Sequence, residues 1–325
     1  MKSAIALLLF QAACATGFSQ NLSLKGTPFH RADLEVRWSA PTNALPSEIR
    51  VYRLLPNRFS PQIISNLVAM CSFTENDKVQ DDTNRLAFQS ADKSRRLGIL
   101  FPLGSIEYEA QQHYGPTNLV QDVPTEARAL HLATNLFPRL GIRLEDIEKQ
   151  EGGTPNLHVF DSETMYFVNH TTITNIEFRG VRFRRAVDGA LFVGAGVGGN
   201  CEIRFGDHGR ISKLSVSWRN LQLHKQCAAV SPETLVKRVR EGKAVQGMLL
   251  MGTDPIDWKT VKSVTITAAK LCYNAGGPFD PADWLMPFAA LWTTVDTGHG
   301  KIDVEIDCPI IEETKPSKRP IRHER

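Results

Sequence analysis

The sequence predicts an α+β protein made of repeated units, each with one helix packed on an antiparallel β-meander. Three observations predict it. Three segments carry helix-start signals followed by an apolar stripe at helical spacing. Each is followed by several strand-like runs. Those runs alternate apolar and polar residues with the period of half-buried antiparallel strands.

Taken in order, "ADLEVRW" and "SEIRVYRLL" read as strands ahead of the first helix. In "FSPQIISNLVAMCSF", Ser60 is placed to cap the free N–H groups, and Pro61 fits the first helical position, where its missing donor costs nothing. Ile63, Leu67 and Met70 then share a face. The strands "RRLGILF" and "SIEYEA" follow. In "DVPTEARALHLATNLFPRLGI", Pro124 and Glu126 mark a start and Leu130, Ala133, Phe137 and Leu140 form the stripe. Pro138 strains its last turn and Gly141 ends it.

The next strands are "ITNIEFRGVRFRRAV", "CEIRF" and "RISKLSVSWRNL". Cys201, Ile203 and Phe205 alternate with Glu202 and Arg204, and Leu214, Val216 and Trp218 with Ser215, Ser217 and Arg219. Ile176 and Phe178 are out of phase with Val181 and Phe183, so a bulge is expected at Gly180. The third helix, in "VSPETLVKRVREGKA", starts at Ser231 and Pro232, turns Leu235 and Val239 inward and stops at Gly242. "VKSVTITAAKLCY", "LMPFAALWTTV" and "KIDVEIDCPII" close the chain's ordered part. Connections of a few residues cannot make a parallel crossover, which disfavours a parallel sheet. The expected division is a signal peptide over 1–20, α+β units over 28–118, 120–225 and 226–311, and a disordered tail over 312–325.

The compartment follows from "MKSAIALLLFQAACATGFSQ". Lys2 supplies a positive start, Ala4 to Phe10 an apolar run, and Ala13-Cys14-Ala15 a small-residue cleavage pattern. A secreted or periplasmic, extracytoplasmic protein is expected. Gln11, where lipoprotein sites carry Leu, favours plain secretion over a lipid anchor at Cys14. No other apolar run approaches ~20 residues, so no integral membrane span is expected. At 325 residues, 42% hydrophobic and 22% charged, the composition is that of a globular protein. A net charge of +3, with both signs interspersed, gives no basis for a nucleic-acid partner. The tail "EETKPSKRPIRHER" mixes proline with both charges and has no apolar periodicity.

"ALFVGAGVGGNCEIRFG" contains the dinucleotide pattern G-x-G-x-x-G. That pattern works where a strand turns into a helix whose N-terminus meets the pyrophosphate. Here two more strands follow, so no cofactor is expected. A hairpin explains Gly194, Gly196, Gly198 and Gly199, with 190–193 pairing antiparallel to 201–205 and "GDHGR" as the next turn.

Other constellations are loose. His158, Asp161 and His170 could hold a metal or anchor a hydrolase, but exposed polar loop residues are commoner. Asp207 and His208 fit a turn. His224, Lys225 and Cys227 could form an activated thiol, without an orienting third group. Trp218, Trp284 and Trp292 could line a pocket or lie in the core. Cys71, Cys201, Cys227, Cys272 and Cys308 remain after cleavage, an odd number, with Cys272 and Cys308 the best pair for a disulfide. No catalytic, cofactor or metal residue is assigned.

The run "FRRAVDGALFVGAGVGGNCEIRFGDHGRISKLSVSWRNLQ" resembles the PepSY pattern at Asp188, Gly189, Gly194, Phe205, Gly206, Gly209, Trp218 and Arg219. Lys270 to Tyr273, Leu285 to Pro287 and Pro309 to Ile311 are similar to the closing strands of secreted PepSY and cystatin-like regulatory proteins, of YycH/YycI-like or propeptide-like plan. The resemblance implies a helix wrapped by an antiparallel sheet and a non-enzymatic role, either inhibiting peptidases or modulating membrane signalling proteins. The chain lacks H-E-x-x-H, so it is not itself a thermolysin-type proenzyme. The expected function is therefore an extracytoplasmic module binding a protein or peptide along a sheet. The alternatives are a hydrolase with an unrecognised site and a structural envelope component.

Overall fold

A computed structural model describes residues 31, 33–111, 114–115, 117–168, 170–193, 200–246, 256–277 and 280–311, with backbone alone at 276–277 and 280–282. The expected signal peptide, the glycines 194–199 and the tail lie outside the described residues. The strands gather into two large sheets, and only three α-helices occur among the described residues. The fold class is thereby corrected: the protein is mostly β, not a series of helix-on-meander units.

The chain begins in the larger, nine-stranded sheet with β1 (Glu35–Trp38) and β2 (Glu48–Leu55). It crosses to an eight-stranded sheet through α1 (Pro61–Met70), then β3 (Lys78–Asp81), β4 (Arg85–Gln89), β5 (Arg95–Leu100) and β6 (Ser105–Ala110). After α2 (Glu126–Leu136) come β7 (His158–Val168) and β8 (Thr171–Arg184) in that same sheet. β9 (Ala186–Val187) and β10 (Ala190–Val193) return to the larger sheet; β11 (Asn200–Phe205) and β12 (Ile211–Ser217) go back to the smaller. The larger sheet is then completed by β13 (Asn220–Ala228), β14 (Val245–Gln246) after α3 (Pro232–Arg240), β15 (Ser263–Gly277), β16 (Asp280–Asp296) and β17 (Lys301–Pro309).

Each helix starts where a side-chain oxygen meets an orphan N–H. Ser60 accepts from Ile63 N, Thr125 from Arg128 N and Ser231 from Thr234 N, worth about 1 kcal/mol apiece. α2 ends at Leu136, since Pro138 diverts the chain into a 3₁₀ turn closed by Gly141 at φ 72°.

The eight-stranded sheet runs β3-β4-β5-β6-β12-β11-β8-β7. Its two meanders are not separate units, because β6 pairs with β12 from Ser105↔Ser217 to Glu109↔Lys213 and merges them. One face carries Phe88, Ile99, Ile106, Leu214, Ile203 and Val181 into a core closed by Leu67 of α1 and by Ala129 and Ala133 of α2. The larger sheet is organised by the long ribbon β15–β16, whose partners change along its length. At one end β1 pairs parallel with β15 and β17 antiparallel with β16. At the other, β10 pairs parallel with β15 and β2 antiparallel with β16. Leu235 and Val239 of α3 are fully buried in its core.

Three local expectations are corrected. Parallel pairing does occur, between strands remote in sequence, such as Glu35↔Ser263, which need no short crossover. β10 and β11 do not pair with each other. β10 joins β9 and β15 in the larger sheet and β11 joins β8 and β12 in the smaller, so the expected pairing of 190–193 with 201–205 does not form. The register slip on β8 falls at Glu177, which the β7 pairing skips, and not at Gly180. Gly180 has another reason: a Cβ there would lie 2.3 Å from Cζ of Phe160, whose ring covers it from the opposite strand.

The Cys272–Cys308 bridge is also corrected. Cys272 aligns with Phe288 and Cys308 with Ala289, so β16 separates the two. Two strand spacings are about 10 Å, beyond the ~7 Å span of a disulfide. All five described cysteines are free, and burial pushes the thiols of Cys71, Cys201, Cys272 and Cys308 up to about 12.

Candidate functional site

The hydrolase anchors do not converge. His158 begins β7, its ring stacked on Phe160 at 6.5 Å. Asp161 accepts two hydrogen bonds from Arg179, at Nε and Nη2. His170 stands at the far end of β7, about 33 Å along the strand from His158. Nor do His224, Lys225 and Cys227 assemble. The β13–β2 register skips His224, which packs against Trp284 at 4.5 Å, while Cys227 packs against the core of the larger sheet. Trp218 is buried, whereas Trp292 is exposed at another place. Among the described residues no group of three or more His, Cys, Asp and Glu could hold a metal.

Two concavities stand out among the described residues instead. The first, about 740 Å³, lies where the sheets meet. Its wall includes the Asp188-Gly189 turn between β9 and β10, with φ 52° and 75°, the two left-handed residues that a tight hairpin requires. The Asp188 carboxylate accepts from Arg50 Nη1 at 2.9 Å and from the Tyr52 hydroxyl. The Tyr273 hydroxyl donates to Arg50 O at 2.9 Å beside them. Burial, and then the bond to Asp188, push Tyr52 up to about 12. Opposite, Arg143 grips Asp146 through two hydrogen bonds. Arg185 is buried between the Trp218 and Phe192 rings, 4.7 and 5.5 Å from their centroids, and donates to Arg219 O. Burial lowers it to about 10.

The second concavity, about 760 Å³, lies between the end of α1, α2 and the turn joining β11 to β12. Its apolar wall includes Met70, Leu132, Leu136, Phe205 and Ile211. Its charged residues are Arg95, Arg139 and Arg210, and no carboxylate lines it. Arg95 is held by α1: Nη1 donates to Cys71 O and Ser72 O, both at 3.0 Å, and the guanidinium lies over Phe73. Arg139 belongs to the 3₁₀ turn that Pro138 starts, and Arg210 follows the turn Asp207–Gly209. Both are exposed, and neither guanidinium has an ion pair or hydrogen bond among the described residues. Tyr108 on β6 reaches the groove with 5% exposure, and its hydroxyl has no hydrogen-bond partner among the described residues. Burial pushes it up to about 12.

A third feature is the arm formed by β7 and β8. β11 pairs with β8 only from Arg179 to Arg184, so the rest of the hairpin extends beyond the sheet as a two-stranded ribbon. β7 is the terminal strand of the sheet, and its outer edge is unpaired among the described residues. Near the arm's end Met165 is 63% and Phe167 80% exposed.

No family model matches this chain, and no curated protein matches it in sequence. Among solved structures, it is similar to an uncharacterized protein from Eubacterium rectale ATCC 33656, at 10% identity and a TM-score of 0.44 over 84% of this chain and 85% of that one. At that score the likeness assigns neither fold nor function. The PepSY and cystatin-like resemblance stands on its quoted residues alone.

Sequence reasoning passed over Arg95, Arg139, Arg210 and Tyr108. They come from four elements and share no spacing. The one local signal was Arg139, which has no acid within four residues on either side.

Proposed function

We propose that the protein is an extracytoplasmic, non-enzymatic binding module that takes an extended segment of a partner protein as an added strand on β7. One observation carries this reading. An eleven-residue terminal strand offers a free backbone edge, with Met165 and Phe167 exposed near its end. Strand addition draws affinity from main-chain hydrogen bonds and specificity from alternate side chains. Natural edges are usually blunted by proline, bulges or a covering element, yet β7 contains no proline and the register slip lies on its inner neighbour. The pattern of residues 1–20 supports the compartment.

The test begins with a photoreactive amino acid at position 167 in the native host, with position 223 on β13 as the control. A single protein crosslinked from 167 and not from 223 is expected. Affinity of that purified protein should then fall by about tenfold or more in Phe167→Asp, with the melting temperature unchanged. No crosslinked protein, or equal affinity of the variant, defeats the proposal.

A further inference from the structure

We propose that the groove between α1, α2 and the β11–β12 turn binds a small amphipathic anion, with an apolar body on its wall and an oxyanion head among Arg95, Arg139 and Arg210. Its size falls within the range of small-molecule pockets. The charge census gives the sign of the ligand. Three guanidiniums line the groove with no carboxylate among them, and two of them have no partner among the described residues. Guanidiniums present paired donors that match the two oxygens of a carboxylate or phosphate. The apolar wall gives the rest of the ligand. Met70, Leu132, Leu136, Phe205 and Ile211 line the groove and belong to or pack against one core cluster, and an inorganic ion would leave that apolar wall wet.

Tyr108 supplies an independent observation. Its ring is buried while its hydroxyl oxygen stays open to the groove, without a hydrogen-bond partner among the described residues. It opens on the groove beside Arg95, so an oxygen of the ligand head can accept its proton donation. One of the three arginines is placed in advance. Arg95 is fixed by the carbonyls of Cys71 and Ser72, just past the end of α1, while Arg139 and Arg210 leave from turns closed by Gly141 and Gly209, at φ 72° and 67°. The site is separate from the β7 edge and does not depend on what binds there.

Calorimetric titration of the full chain near neutral pH, with decanoate and decyl phosphate as probes and decanol as the uncharged control, tests the proposal. Saturable one-to-one binding of at least one anion is expected, with decanol much weaker. Preference between the two anions identifies the head as carboxylate or phosphate. Arg139→Gln combined with Arg210→Gln should weaken the anion by about tenfold or more, and Tyr108→Phe by several-fold, with melting temperatures unchanged. No saturable binding of either anion overturns the proposal. So does decanol binding as tightly as the anions, or affinity indifferent to the double variant.

Discussion

The two concavities are nearly equal in volume and each is lined by three arginines, yet they differ in what answers those charges. At the sheet junction, Arg58, Arg143 and Arg185 share the wall with Glu145, Asp146 and Asp188. Asp188 serves Arg50 and Tyr52 beside the cavity, Asp146 serves Arg143, and Arg185 is stacked between rings, while Arg58 alone has no ion pair or hydrogen bond among the described residues. The groove has cations only. A charge answered inside the protein joins elements together; a charge left unanswered at a cavity is available to something else. Carboxylates show the same division. Burial alone would raise Glu202, but hydrogen bonds from Arg182 and Arg204 outweigh it and hold the carboxyl below its usual range. Asp307 on β17 has no such help. Burial, then repulsion from Glu305, push it up to about 7, and its Oδ1 has no hydrogen-bond partner among the described residues.

The largest expected effect tests that division at Asp307. Its folded pKa is raised above the unfolded value of 3.8. Its contribution to stability is therefore fully present below pH 4 and is lost as pH rises through about 7. The loss is bounded by about 4 kcal/mol, since each pKa unit is worth about 1.4. Asp307→Asn should remove this pH dependence and make the protein more stable than wild type at pH 8, as read by urea unfolding across pH 4–8. Identical pH profiles would mean that the carboxylate is answered after all.

A smaller effect is expected at the junction. Asp188→Ala strips the Tyr52 hydroxyl of its acceptor and places alanine in a left-handed turn position. It should cost about 1–3 kcal/mol in urea unfolding, most of it from the orphaned hydroxyl and the strained backbone. No loss would show that the carboxylate does not tie the β9–β10 turn to β2.

The smallest effect belongs to the groove. Arg139→Gln with Arg210→Gln removes two exposed cations that have no ion pair or hydrogen bond among the described residues, so stability should stay within about 0.5 kcal/mol of wild type. A larger loss would move both arginines to the answered class.

Local features could be read from the sequence, and their physics explains why. Ser60, Ser231, Pro61 and Pro232 mark helix starts because a cap depends on residues three positions apart. The alternation of Cys201, Ile203 and Phe205 finds the core side of β11 because one strand carries its own period. Strand partners are another matter. Nothing near Ser105 or Ser217 announces that β6 will meet β12, and that pairing replaces separate units with one sheet. Phe178 seemed out of phase with Val181 because it belongs to the opposite face, under Arg204 at 4.3 Å. The groove was hidden for the same reason as the sheets: its arginines come from three separate segments, and only folding adds them together.

The repeated passage of the chain between the two sheets has a consequence for synthesis. β1 and β2 leave the ribosome first, but β1 finds its partner in β15, about 230 residues later. At roughly 5–20 residues per second, that is a wait of about 10–45 s. The smaller sheet can close in the interval, since β12, its last strand, ends at Ser217. The nascent chain then holds one finished half and four strands of the larger sheet, β1, β2, β9 and β10, still waiting for β13, β15 or β16. That interval is when the newborn protein most needs an escort.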